Sequence, residues 1–78
     1  MKAIDERRRF PAPWKVVETP GGYRVDDATG QTIGWWYGED ELSRRTAMRG
    51  LTRAEALRFA KAFARLPELL AKDANPAN

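Results

Sequence analysis

The chain contains no cysteine and no histidine. It can therefore form neither a disulfide nor a zinc site of the usual kind, and it lacks both the thiolate nucleophile and the imidazole base that many enzymes use. Ser43 is the only serine, and no histidine is present to activate it. We expect a chain with no catalytic residue, no cofactor and no metal site.

Long apolar segments are missing as well. No run approaches the roughly 20 residues that cross a bilayer, so we expect no membrane partner. Residues 1–9 lack the apolar stretch of a secretory signal, which predicts a cytoplasmic protein. A chain of 78 residues without disulfides must be stabilised by apolar packing alone or by pairing with another copy.

The composition is that of a folded protein, with 42% hydrophobic and 32% charged residues. This length allows one domain. We expect a mobile basic arm over residues 1–9, a single domain over 10–72 and a frayed C-terminus over 73–78. The net charge of +3 permits nucleic-acid binding without requiring it.

Three short segments rich in β-branched and aromatic residues predict an antiparallel meander. The predicted strands are Trp14–Glu18, Tyr23–Asp26 and Gln31–Tyr37. The glycine-containing turns Thr19–Gly22 and Asp27–Gly30 separate them. The short connections favour antiparallel pairing, and a helix follows, so we expect an α+β fold with one amphipathic helix on one face of the sheet.

The main helix is predicted by a capping box, in which Thr52 and Glu55 can each bond the other's backbone amide. We expect this helix over Arg53–Leu66, followed by a further turn over Pro67–Lys72. A shorter helix over Glu41–Met48 is also predicted, with Asp40 as its cap and Gly50 at its end. An excursion loop is the alternative for that segment.

The two faces of the main helix differ. Small and aromatic residues recur at helical spacing on the face expected against the sheet, namely Ala56, Phe59, Ala60, Phe63 and Ala64. The opposite face carries Arg58, Lys61 and Arg65. Those cations form either a phosphate-binding stripe or an ordinary solvated face.

The third strand alternates between two sets of side chains. The larger and more apolar set, Ile33, Trp35 and Tyr37, is predicted to face the helix. Trp36 would then lie on the outer face beside Arg24 and Lys15, which makes these three residues a candidate interaction surface. The adjacent rings of Trp35 and Trp36 leave open which of them faces the core, and the N-terminal segment or a second subunit could cover the outer face.

Two acidic clusters, Asp26-Asp27 and Glu39-Asp40-Glu41, are the remaining candidates for chemistry. Paired carboxylates can bind hard cations or transfer protons. Both clusters fall at predicted turns and neither has the spacing of a calcium-binding loop. Turn and capping roles therefore explain them best.

Several short motifs together resemble a family of short uncharacterised bacterial proteins. They are FPAPW, PGGYRV, DATGQ, YG, LT followed by EA, and LPELL, and they extend from Phe10 to Leu70. This family has no assigned activity, so the resemblance implies no function and no site residues. The pair Trp35-Trp36 is bulkier than the family's usual strand.

Two functions are compatible with this sequence. The first is a non-enzymatic interaction module that self-associates or binds a protein partner. The alternative is a nucleic-acid-binding protein that uses the open sheet face, the helix cations and the arm residues Arg7, Arg8 and Arg9. The order of three strands and a helix is similar to the plant ethylene-response-factor domain and to the arm-binding domain of phage integrases, whose sheets enter the major groove, although a fold alone does not imply a function.

Overall fold

The sheet is a three-stranded antiparallel meander in the computed structural model, which describes residues 9–73. Strand β1 spans Lys15–Thr19, β2 spans Gly22–Asp26 and β3 spans Thr32–Tyr37. The order β1-β2-β3 places β2 in the centre. Among the described helices one packs on this sheet, which confirms the predicted α+β fold class.

Asp27 organises the turn between β2 and β3. Its Oδ1 accepts hydrogen bonds from the Thr29 hydroxyl at 2.6 Å and from the backbone N–H groups of Thr29 and Gln31 at 2.8 and 3.0 Å. These bonds, above all the one from the Thr29 hydroxyl, hold the pKa of Asp27 below its usual value. Gly30 has a φ of 94°, a conformation that side chains disfavour, and it completes the turn.

Within residues 9–73, three helices follow the sheet: α1 spans Leu42–Met48, α2 spans Arg53–Ala64 and α3 spans Leu66–Asp73. The predicted capping box opens α2. Thr52 Oγ1 accepts from the N–H of Glu55 at 3.0 Å, and the Glu55 carboxylate accepts from the N–H of Thr52 at 2.9 Å. Such a cap stabilises a helix by about 1 kcal/mol.

The predicted short helix exists as α1, but its N-cap differs from the prediction. Glu41 rather than Asp40 caps it, because the Glu41 carboxylate accepts from the N–H of Arg44 at 2.7 Å. Asp40 instead accepts from the backbone N–H of Arg53 at 3.0 Å, and so it ties this loop to the start of α2.

The C-terminal end of α1 also differs from the prediction. Arg49, with a φ of 54°, is the C-cap, and Gly50 follows it. No residue of α1 is buried, and the side chains of Leu42 and Met48 remain largely exposed. The helix is therefore held mainly by its caps rather than by packing.

The core lies between α2 and the sheet. Val25, Ala56 and Ala60 are fully buried, because the small alanine side chains let the helix backbone approach the strands closely. Phe63 continues this layer, as predicted for the helix. Phe59 was predicted on the same face, but its side chain is exposed because it lies at the edge of the buried arc.

An aromatic cluster attaches the N-terminal segment to this core. The ring of Trp14 stacks on Phe63 with centroids 5.2 Å apart. Its indole N–H donates to the carbonyl of Phe10 at 2.7 Å, and the N–H of Ala28 donates to the carbonyl of Pro11 at 2.8 Å. Residues 10–14 are thereby fixed along the domain.

The predicted termini fall mostly outside the described residues. Of the predicted arm, the structure describes Arg9 alone, which is exposed. At the other end α3 includes Asp73, the first residue of the predicted frayed segment, and residues 74–78 lie outside the described part. Among the described helices, none is long and apolar enough to cross a membrane.

Candidate interaction surface

The face of the sheet turned away from α2 carries the candidate surface. The register pairs Lys15 with Asp26, Val17 with Arg24, and Arg24 with Trp35, and paired residues share a face. Of the described helices, α2 alone packs against the sheet, and it covers the other side. We call the uncovered side the open face and define it by Lys15, Val17, Arg24, Trp35 and Tyr37.

Trp35 and Tyr37 are the prominent side chains of the open face. Trp35 is 56% exposed and Tyr37 is 63% exposed. The sequence prediction placed both rings against the helix, and this prediction is wrong. Two aromatic rings on one strand and one face form an apolar patch of the kind that binding surfaces use.

Trp36 faces the helix, so its prediction as an open-face residue is also wrong. Its ring lies 4.9 Å from that of Phe63. The physical reason is the space beside Gly34, where a Cβ would come within 2.8 Å of the Trp36 ring. A large ring therefore fits on the helix side only because the residue two positions earlier has no side chain.

A bulge breaks the alternation that the prediction assumed. Val25 pairs with Gly34 while Asp26 pairs with Thr32, which leaves Ile33 as an extra residue in β3. Ile33 is consequently unpaired in the ladder, and it lines a cleft together with Phe63 of α2.

Arg24 and Lys15 lie on the open face, as the alternation of their strands predicts. The guanidinium of Arg24 is not free, because its Nε donates to both carboxylate oxygens of Asp26 at 3.0 and 3.2 Å and its Nη2 donates to one of them at 3.2 Å. The hydroxyl of Thr32 adds a bond to Asp26 at 2.7 Å. The positive charge of Arg24 at the centre of the open face is therefore neutralised by the negative charge of Asp26.

Asp26 is 4% exposed and so lies within the sheet, whereas the Arg24 side chain that covers it is 38% exposed. The hydrogen bonds from Arg24 are the largest cause that holds the pKa of Asp26 below its usual value, followed by the bond from Thr32. Asp26 consequently stays ionised at neutral pH and keeps the charge of Arg24 neutralised.

The two edges of the sheet are poorly suited to strand pairing. Strand β1 carries the charged side chains of Lys15 and Glu18, which discourage another strand from adding there. Strand β3 is bulged at Ile33 near one end. Near its other end the carbonyl of Leu51 accepts from the N–H of Glu39 at 2.7 Å. The open face is thus a better binding surface than either edge.

The predicted nucleic-acid contacts do not gather on this face. Arg58, Lys61 and Arg65 are exposed. At about 100° per residue they project from the side of α2 opposite to its buried alanines. They therefore lie on the far side of the molecule from the open face. Arg7 and Arg8 fall outside the described residues, so a contact role for the arm stays a prediction.

The acidic cluster after β3 serves the loop, as predicted for turn and capping residues. Glu39 accepts from the N–H of Glu41 at 2.9 Å and forms an ion pair with Arg44 at 3.3 Å. The hydrogen bond from the backbone N–H of Glu41 is the largest cause that lowers the pKa of Glu39, and the side chain of Arg44 lowers this pKa further. No group of three potential metal ligands is found among the described residues.

The cleft beside the aromatic cluster has a volume of about 410 Å³. Its lining is mainly apolar and consists of Phe10, Trp14, Gln31, Thr32, Ile33 and Phe63. The Thr32 hydroxyl already donates to Asp26, and the Gln31 amide donates to the Thr32 carbonyl. Small-molecule sites need several polar groups that converge on the ligand, so this cleft is a weaker candidate than the open face.

The sequence contained signals for two features that the prediction missed. Gly34 and Trp36 are two residues apart, and a small residue next to a large one on one face indicates a slot for the ring. Arg24 and Asp26 have the same spacing, which places opposite charges side by side on a strand. Neither signal alone identifies a binding partner.

The resemblance to short bacterial proteins stays a prediction. It covers Phe10 to Leu70 and rests on several short motifs. Comparison with family models, with curated proteins and with solved structures finds no match to this chain.

Proposed function

We propose that this protein is a small non-enzymatic interaction module that binds a protein partner through its open face. One observation carries the proposal: Trp35 and Tyr37 expose more than half of their side chains on a sheet face that no described helix covers. Exposed rings on a rigid sheet bring large apolar contact area at a low cost in side-chain entropy, which is why aromatic residues dominate protein interfaces.

The distribution of charge favours a protein over a nucleic acid. A nucleic-acid surface needs several free cations beside its aromatic groups. On the open face Arg24 is committed to Asp26, and Lys15 remains as the cation near one end of β1. The helix cations project from the other side of the molecule, so a single ligand cannot contact them and the two aromatic rings together.

The proposal is tested with a photo-crosslinking amino acid, benzoylphenylalanine, in place of Trp35. The matched control replaces Phe59, which is exposed to a similar extent, 54% against 56%, but lies on α2. We expect protein adducts from position 35, formed in the cells that make this chain, and none from position 59. Equal adducts from both positions, or none from position 35, would contradict the proposal, and adducts that nuclease removes would support the nucleic-acid alternative.

A further inference from the structure

We infer that the partner of the open face is a second copy of this chain, packed face to face around a two-fold axis. This inference rests on the proposed function and identifies the protein partner that binds the open face. Two sheets that stack by their faces lie about 10 Å apart with their strands at roughly 30°, and the side chains between them form a shared apolar layer. A two-fold axis makes the same patch serve both copies.

The charges of the open face make it compatible with itself. Its central cation, Arg24, is neutralised within the same copy by Asp26, at 3.0 Å. Two open faces can therefore meet without opposing like charges at their centres, and the aromatic rings of one copy can pack on Val17 and the rings of the other. A strongly acidic or basic partner would find no free charge there to pair with, apart from Lys15 near the end of β1.

The packing of the monomer gives a second reason. Among the described residues only Val25, Ala56 and Ala60 are buried apolar residues, while Trp35 and Tyr37 are more than half exposed. A chain of this size buries only about 60% of the surface that its unfolded form exposes, and it often needs a partner when it has no disulfide or metal. Stacking two open faces would bury these side chains in a second apolar layer, on the side of the sheet opposite to α2.

The size of the face sets the strength of the dimer. Three strands about 4.8 Å apart and six residues at about 3.4 Å each give a face of roughly 14 by 20 Å. Two faces of this extent bury roughly 560 Å² in all, well below the roughly 1,200 Å² of a standard complex, so the association can only be weak and reversible. We therefore expect a reversible dimer with a dissociation constant in the micromolar to millimolar range.

Analytical ultracentrifugation of the full chain, from about 10 μM to about 1 mM, tests this inference. The average mass should rise with concentration from 8.9 kDa towards twice that value. Trp35→Ser and Tyr37→Ser should each raise the dissociation constant by about tenfold or more, because buried aromatic anchors dominate interface energies. Phe59→Ser is the matched control and should leave it unchanged. Far-UV circular dichroism confirms that each variant is folded.

Salt gives an independent readout. A contact whose central charges are already paired, with Lys15 near the end of β1 as the remaining cation, should change by less than about threefold between roughly 0.1 and 1 M NaCl, since screening acts on free charges. A parent chain that stays at 8.9 kDa throughout, a dimer unaffected by Trp35→Ser, or a strongly salt-weakened dimer would each overturn the inference. A monomer that still gives crosslinks to another protein from position 35 would remove the second copy while leaving the proposed function in place.

Discussion

The two adjacent tryptophans of β3 should respond in opposite ways to truncation. Trp36 packs against Phe63, with ring centroids 4.9 Å apart, and fills the space over Gly34. Trp36→Ala removes that contact and leaves a cavity, and because the ring is half-buried we expect a loss of about 2–4 kcal/mol in the free energy of unfolding. Trp35 is 56% exposed, so Trp35→Ala should change the monomer by less than about 0.5 kcal/mol.

Thermal and urea unfolding followed by far-UV circular dichroism measures both effects. For a domain of this size the loss at Trp36 corresponds to a drop of roughly 10–25 °C in Tm, whereas Trp35→Ala should move it by a few degrees at most. The protein is kept at low micromolar concentration, because self-association stabilises the folded state by mass action. Equal losses for the two variants, or a larger loss for Trp35→Ala, would refute the assignment of the two faces.

Three further outcomes test the helix and the buried carboxylates. Thr52→Ala should cost about 1 kcal/mol in urea unfolding because it removes the acceptor for the Glu55 amide, whereas Thr52→Ser should keep the cap. Ala60→Leu should overpack the helix–sheet contact and cost about 1–3 kcal/mol, while the same change at the exposed Ala54 should be nearly neutral. The lowered pKa values of Asp26 and Asp27 mean that the unfolded chain binds more protons below about pH 4, so stability should be full above that pH and fall as the pH drops through the folded pKa values. Urea midpoints between about pH 7 and 2.5 should show this fall, a flat profile would contradict it, and Asp26→Asn should flatten it in part.

The elements that were predicted correctly are those whose signals are local. Thr52 and Glu55 satisfy each other across three residues, so the start of α2 can be read from the sequence alone. Ala56 and Ala60 repeat at helical spacing, which is enough to identify the buried side of that helix. The meander likewise follows from two short connections between segments of high β-propensity.

The features that were predicted wrongly depend on partners outside the local sequence. Asp is a better N-cap than Glu, so the local sequence favours Asp40. Asp40 instead accepts from the backbone N–H of Arg53, 13 residues further along the chain, and Glu41 caps the helix. The facing of β3 depends on the bulge at Ile33, because one extra residue changes which side chains share a face. Strict alternation could not predict that change.

The open face itself was partly predictable. Arg24 lies there as alternation predicts. It was predicted as a possible contact to phosphate, but its charge is already neutralised by the ion pair with Asp26. The prediction that Trp36 is the exposed tryptophan beside Arg24 was wrong, because Trp35 lies in that place. Trp36 lies on the helix side because Gly34 leaves space for its ring there, and Trp35 therefore lies on the open face.

The three tryptophans of the chain allow one direct measurement of whether two copies meet at the open face. Incorporated 5-fluorotryptophan gives one ¹⁹F resonance for each of Trp14, Trp35 and Trp36, and single substitutions assign them. Over a dilution series from about 1 mM to about 10 μM, the resonance of Trp35 should move along a dimerisation curve while those of Trp14 and Trp36 stay in place. A Trp35 resonance that does not change with concentration, or a change confined to Trp14 or Trp36, would contradict the account.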